Sequence, residues 1–378
     1  MEAGFLAIVF APAGWWPNPP RERPASRALL WLLRWLLFRL MFASGCVKLL
    51  SGDRTWRNLT ALNYHYETQP LPTWIGWYAH QLPDWVQKSS VVLMFGIELI
   101  VPFLIFLPRR LRLAGCGVLI ALQLVIALTG NYCFFNLITI ALCVLLLDDA
   151  VLSRLVPRRW QKWISGRFAS RQEFPTSSTH PRIAWFEFIR RSFVALMVIL
   201  LLTLTTTQMI GMFRARAPRP RFVLKLYEWQ VPLRSVNGYG LFAVMTTSRP
   251  EIIVEGSNDG QTWLAYEFKY KPGDLKRRPR FVAPHQPRLD WQMWFAALGS
   301  YRDNPWFMNC CYRLLQGSPV VLAELERNPF PQEPPRYIRA SLYEYHFTDF
   351  ATRRAEGAWW RREFKGYYCP VLSLRGNE

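Results

Sequence analysis

Five apolar runs, all within the first 213 of 378 residues, constrain this chain more than any other feature. Residues 28–50, 90–107, 111–129, 131–147 and 192–213 each come close to or exceed the ~18–20 residues with which a helix crosses a hydrocarbon core of about 30 Å. A soluble fold would have to wrap every one of them in other chain. The expected architecture is therefore a membrane α-helical domain of about five transmembrane helices over 28–213, with an outer aromatic loop at 51–89. A β-rich, sandwich-like soluble domain with helical insertions follows over 214–378. Residues 1–27 read as an N-terminal segment, its first twelve residues too short to span and without the basic start and cleavage site of a signal peptide. Residues 15–24 read as a Pro-rich turn.

The chain carries 46 Lys and Arg against 26 Asp and Glu, a formal net charge of +20. Nucleic acid is not the expected partner, because the arginines flank apolar runs and form no glycine-rich or repeated basic tract. They fit positive-inside anchoring in a lipid bilayer instead. Threading five spans alternately puts the clusters at 21–34, 109–112 and 154–191 on one side, the cytoplasmic one. The loop 51–89 and everything after residue 213 then face a lumen or periplasm. Arg214, Arg216, Arg219 and Arg221, on the outer side of that threading, run against it.

Two ionisable residues lie deep in these runs. Arg39 is roughly 15 Å into the first run by helical rise and Glu98 about 13 Å into the second, so the two are expected to form a buried ion pair. Arg34 and Lys48, nearer the ends of their run, can snorkel to headgroups. The pair either fixes helix packing or marks a proton or substrate site in the bundle.

The loop 51–89 is dense in Trp, Tyr and His. It forms either an aromatic belt at the headgroup layer or a platform that docks a client protein or lipid, with Trp56, Tyr64, His65, Tyr66, Glu67, Trp74 and Trp77 as candidates. His65 and Glu67 would project alike on a strand, though two groups do not make an acid/base or metal site. Asn58-Leu59-Thr60 is a glycosylation acceptor pattern. Nucleophile elbow, phosphate loop, HExxH and EF-hand patterns are missing, so any catalytic residue stays unknown, and neither a metal nor a cofactor is expected. Of the seven cysteines no two have C-x-x-C spacing. Cys310, Cys311 and Cys369 are disulfide candidates in an oxidising compartment.

Beyond residue 213 the pattern shortens. Residues 222–229, 239–245, 251–255, 263–270 and 337–347 read as strands, 289–298 and 320–327 as helices, and 257–260 as a hairpin turn.

Several long strings of this sequence resemble the lipase maturation factor family. They are SGCVKLLSGDRTWRNLTAL at 44–62, YHYETQPLPTW at 64–74, GNYCFFNLITIALCVLLLDD at 130–149, and three further stretches at 237–263, 270–298 and 328–340. The likeness extends over nearly the whole chain. It implies a multi-span protein of the endoplasmic reticulum membrane, or of the cytoplasmic membrane in bacteria, that helps secreted clients, lipases in particular, to fold and assemble. It also implies that helices precede residue 1 in the family, so the chain looks truncated there. The membrane part is distantly similar to vitamin K-dependent carboxylases, which keeps open a membrane enzyme acting on lipid or protein at the outer leaflet. A small-solute transporter, the third reading, should show internal repeats, and none is evident.

Overall fold

The structure, a computed structural model, describes residues 1–11, 26–155, 157, 181–213 and 220–374. The expected turn at 15–24, Arg21 and Arg23, most of the basic connection between 156 and 180, and Arg214, Arg216 and Arg219 lie outside the described residues. Contacts divide the chain into a helical unit (1–53, 94–122 and 138–243) and a sheet unit (54–93, 123–137 and 244–378). The division does not follow the expected boundary at 213/214. The outer loop groups with the C-terminal region, and residues up to 243 group with the helices.

The helices among the described residues of the first half are α1 (Glu2–Phe10), α2 (Arg27–Leu50), α3 (Arg54–Arg57), α4 (Leu62–Thr68), α5 (Trp74–His80), α6 (Asp84–Leu99), α7 (Arg109–Thr129), α8 (Phe135–Val144), α9 (Asp149–Leu155) and α10 (Pro181–Phe213). A 3₁₀ segment, Val101–Phe106, extends α6 where Pro102 removes an amide donor. Among the described residues four stretches are long and apolar enough to cross a membrane: Arg27–Leu50, Asp84–Phe106, Arg109–Thr129 and Arg191–Phe213. In the helical unit α2 is the central one. Leu29, Leu32, Leu33, Leu36, Leu37 and Met41 are buried along it against Cys116, Leu119, Leu142, Leu146, Met197, Leu201 and Leu204. The other spans turn Ile100, Phe103, Phe193, Leu196 and Ile199 outward, an apolar exterior suited to lipid.

The fourth expected span is a shorter element. Asn131 does not start a helix, because its amide is engaged by other backbone groups of the sheet unit, and α8 covers only ten residues. It still runs antiparallel to α7. Arg112 Nε donates to the Leu146 carbonyl at 3.0 Å, and Cys116 Sγ to that of Cys143 at 3.2 Å. The chain thereby returns, and α10 lies parallel to α2, with Trp35 Nε1 3.0 Å from Thr205 Oγ1 and the Phe42 and Phe213 rings in contact.

The second half holds α11 (Arg221–Gln230), α12 (Arg288–Ala297), α13 (Pro305–Leu315), α14 (Pro319–Leu322) and α15 (Phe350–Glu356). Its strands are β1 (Pro250–Ser257), β2 (Leu264–Ala265), β3 (Glu267–Phe268), β4 (Leu325–Arg327), β5 (Tyr337–Phe347) and β6 (Trp360–Ser373). Residues 222–229, expected as a strand, form α11, since Val223 is buried and Leu226 and Tyr227 pack on the same core at helical spacing. The expected strand at 239–245 is irregular chain, and the expected helix at 320–327 divides into α14 and β4.

The main sheet is antiparallel in the order β2-β1-β5-β6, with β3 and β4 as a separate two-stranded ribbon. Alternation along the strands supplies two buried faces. On one, Ile252, Val254, Ile338 and Ala340 meet Met293 and Ala296 of α12 and Phe307, Cys311 and Leu314 of α13. On the other, Ile253, Tyr345, Phe347 and Trp360 meet Tyr66 and Trp77 of the aromatic segment. Helices thus cover one face of the sheet and the aromatic segment covers the other, where a second sheet was expected.

Candidate functional site

The aromatic segment is mostly interior. Trp56, Tyr66, Glu67 and Trp77 are buried, which corrects their assignment as docking residues. Tyr64, His65 and Trp74 are half-buried; of the aromatic rings in the segment only Tyr78 and Trp85 are exposed, and Asn58 is exposed as well. The rings leave the surface because the sheet offers them an apolar face, a larger gain than partial immersion elsewhere. The segment also caps a helix. Thr73 Oγ1 donates to the Leu128 carbonyl at 2.7 Å and Gln69 Nε2 to that of Thr129 at 2.8 Å, two acceptors that the end of α7 leaves without helical partners. Gly76 permits the approach, since a Cβ there would lie 2.6 Å from the Thr129 oxygen.

His65 and Glu67 do not act together. They sit two apart on α4, not on a strand, so they diverge by about 200° around the axis. His65 meets the Tyr132 hydroxyl at 3.0 Å, and that hydroxyl donates to Gln69 Oε1 at 2.7 Å. The Glu67 carboxylate accepts the Phe347 amide at 2.9 Å, with His346 Nδ1 at 3.4 Å and His80 Nε2 at 3.8 Å. Burial pulls the His80 imidazole below its usual range; the Glu67 carboxylate opposes that and His346 adds to it.

Arg249 and Glu251 carry the most buried charges of the sheet unit and escaped the sequence reading. Both are fully buried. The Arg249 guanidinium donates to the carbonyls of Glu67 and Gln69, to that of Pro70 at 3.1 Å, and to Glu251 Oε1 at 2.8 Å, and lies 5.2 Å from the Trp360 ring. Lys271 Nζ adds a 3.0 Å contact to Glu251 Oε2 and donates to the Ile252 and Pro272 carbonyls. Burial lowers the Arg249 pKa and Glu251 beside it acts the other way. A visible signal existed: Arg-Pro-Glu opening a strand whose next residues are Ile-Ile-Val. Asn131 does similar work with a neutral group, donating to the Leu71 and Arg280 carbonyls and accepting the Val282 and Ala283 amides.

A hollow of about 460 Å³ on this unit is lined by Tyr78, Phe350, Arg353, Arg354, Gly357 and Trp359. Its base is rigid. Arg353 stacks 3.8 Å over Trp359 and 4.9 Å over Trp77 and donates to the Tyr78 hydroxyl at 2.8 Å. Its rim is apolar and basic, with Tyr78, Phe350 and Arg354 exposed.

In the helical unit the buried charges pair otherwise than expected. Glu98 meets Lys48, whose Nζ is 2.7 and 2.6 Å from the two carboxylate oxygens, and Arg39 meets Glu2. Counting rise from the ends of apolar runs misplaced Glu98, because α6 begins six residues before its run, at Asp84. Gly45 then sets the contact: a Cβ there would lie 3.0 Å from Glu98 Cβ and 2.8 Å from Leu99 Cδ2, and Lys48 is one turn further along the same face. Glu2 also accepts the Asn237 amide at 3.2 Å and the Tyr239 hydroxyl at 2.9 Å. Beside Arg39 lies a cleft of about 270 Å³ between α2, α10 and residues 237–239.

The disulfide candidates Cys310, Cys311 and Cys369 are free thiols, with Cys311 and Cys369 in the core beneath the sheet. Burial raises the pKa of Cys310 to about 11, that of Cys369 to about 11, and that of Cys311 further.

Residues 1–154 match the family model of the lipase maturation factor transmembrane domain, and residues 235–370 that of the lipase maturation factor C-terminal domain. Lipase maturation factor 2 of Gallus gallus is 38% identical over 458 residues, covering 99% of this chain and 64% of the relative. The protein of the same name from Homo sapiens is 38% identical over 466 residues, covering 99% and 65%. Lipase maturation factor 1 of Bos taurus is 36% identical over 393 residues, covering 100% and 67%. The chain thus spans just under two thirds of the length of the first two. No solved structure matches it.

Proposed function

We propose, from the premise that this chain belongs to the lipase maturation factor family, that it is a membrane-bound factor assisting the folding and assembly of secreted proteins, with lipases as the client class. It is an integral membrane protein, with four helices of spanning length among the described residues. The endoplasmic reticulum membrane is the proposed location, or the cytoplasmic membrane of a bacterium, with the sheet unit on the lumenal or periplasmic side.

The hollow at Tyr78, Phe350, Arg353, Arg354 and Trp359 carries this reading for the present chain. Exposed aromatic side chains on a base already fixed by stacking lose little entropy on contact, the property of interface hot spots. Their basic neighbours favour a client segment that pairs apolar with acidic groups. An acid/base mechanism on the aromatic segment would need His65 and Glu67 to converge, and they hold different partners. Secretion of active lipase, measured in cells carrying each variant at matched membrane abundance, tests the proposal. Phe350→Ser with Arg354→Glu should reduce secretion several-fold while Asn58→Gln leaves it near normal. Full secretion by the Phe350/Arg354 variant would remove the hollow as the docking surface.

A further inference from the structure

We propose that the cleft beside Arg39 binds the acyl ester of a neutral glyceride from the bilayer. The cleft is walled by Ala43 and Val47 of α2, Met209 and Met212 of α10, and Tyr239. Arg39 is the thirteenth residue of a 24-residue spanning helix, so this site is roughly 17 Å from either helix end. It is 3% exposed. One guanidinium nitrogen meets Glu2 and another reaches the Asn237 carbonyl only at 3.4 Å, while its Nε has no hydrogen-bond partner. A buried, charged donor left unmatched is costly where no water competes. Arg39 lines the cleft, and a guanidinium so short of acceptors there points to an acceptor oxygen delivered from outside the chain.

Charge decides what carries that oxygen. Glu2 already balances Arg39, and its own carboxylate accepts three donors in all. A second anion would leave uncompensated negative charge at membrane depth, which excludes a fatty-acid carboxylate, and a phospholipid cannot bring its charged headgroup there cheaply. A neutral ester carbonyl supplies the acceptor without adding charge, and its acyl chain fits the methionine, valine and alanine wall. At about 270 Å³ the cleft is near the lower limit of small-molecule pockets, room for the ester and part of one chain.

The test is photolabelling of the full chain in lipid nanodiscs at pH 9 with three diazirine probes of equal chain length: a monoacylglycerol, a fatty acid and an alkane. The monoacylglycerol should label peptides containing Met209 or Met212 at least about tenfold more than either other probe, the scale of one hydrogen bond to a charged group, and unlabelled monoacylglycerol should compete. Ala43→Leu, which fills the cleft, and Arg39→Lys, which keeps the charge opposite Glu2 but removes the guanidinium, should each reduce that labelling to the alkane level. Equal labelling by the three probes would overturn the proposal, as would labelling that survives Ala43→Leu. If either variant fails to fold, the ratio among probes in the unaltered chain decides.

Discussion

Both units bury full charges, but they neutralise them differently. In the helical unit charge meets charge: Lys48 with Glu98, and Arg39 with Glu2. Helices satisfy their own backbone, so a buried side-chain charge there has few free carbonyls to use and must find an opposite charge. In the sheet unit Arg249 and Lys271 share Glu251 but direct most of their hydrogens to main-chain carbonyls, one of them near the end of α4 and two in the non-helical turn after it. Irregular backbone that is buried needs such donors. Ion pairs in the first unit therefore set which helices touch, whereas in the second they hold chain that has no regular structure of its own.

The sharpest way to break this contrast is Arg249→Met, which orphans three carbonyls and one oxygen of the Glu251 carboxylate at once. It should cost about 3–5 kcal/mol or more, seen as loss of folded protein after solubilisation, and Glu251→Leu in the same chain should not restore it. Recovery in the double variant would show that Arg249 too is only half of a pair. Lys48→Met should cost about 3–5 kcal/mol with the opposite sequel: adding Glu98→Leu should recover most of the folded yield. Gly45→Ala, which presses a methyl onto Leu99 and Glu98, should destabilise by about 1–3 kcal/mol, read as a lower thermal midpoint in detergent.

The smallest effect concerns pH. His80 is held below its ordinary value of 6.5 by burial, so the unfolded chain takes up its proton first. Its contribution is complete above pH 6.5 and declines as the pH falls toward the lowered value, by at most about 1.4 kcal/mol for each unit of displacement. His80→Gln should flatten the dependence of the thermal midpoint between pH 7 and 5, and an unchanged slope would assign the sensitivity to another group.

Much of this was legible in the chain. Four of the five spans, β1, β5 and α12 follow directly from run length and periodicity. The two-unit division did not, because nothing local in residues 54–93 says that their rings face a sheet made some 200 residues later. β6 was missed since Arg361, Arg362, Glu363, Lys365 and Tyr367 point outward, and Gly366 and register shifts interrupt its alternation. The Arg39–Glu98 expectation had the right kind of residue and the wrong neighbour. Depth counted along one helix cannot see a glycine that lets another helix come closer, or an acid on a short helix at residue 2.

The bond between the Phe347 amide and Glu67 joins positions 280 apart in the chain. At ~5–20 residues per second of synthesis, roughly a quarter to most of a minute separates the making of its two ends. For most of that interval Tyr66, Trp77 and the turn that Arg249 holds have no sheet to lie against, since Ile253 is made only about two thirds of the way through it, Tyr345 at its end and Trp360 after it. A chain of this design emerges with an aromatic segment early and the cover for it last, and spends its own biosynthesis in need of the kind of help it is proposed to give.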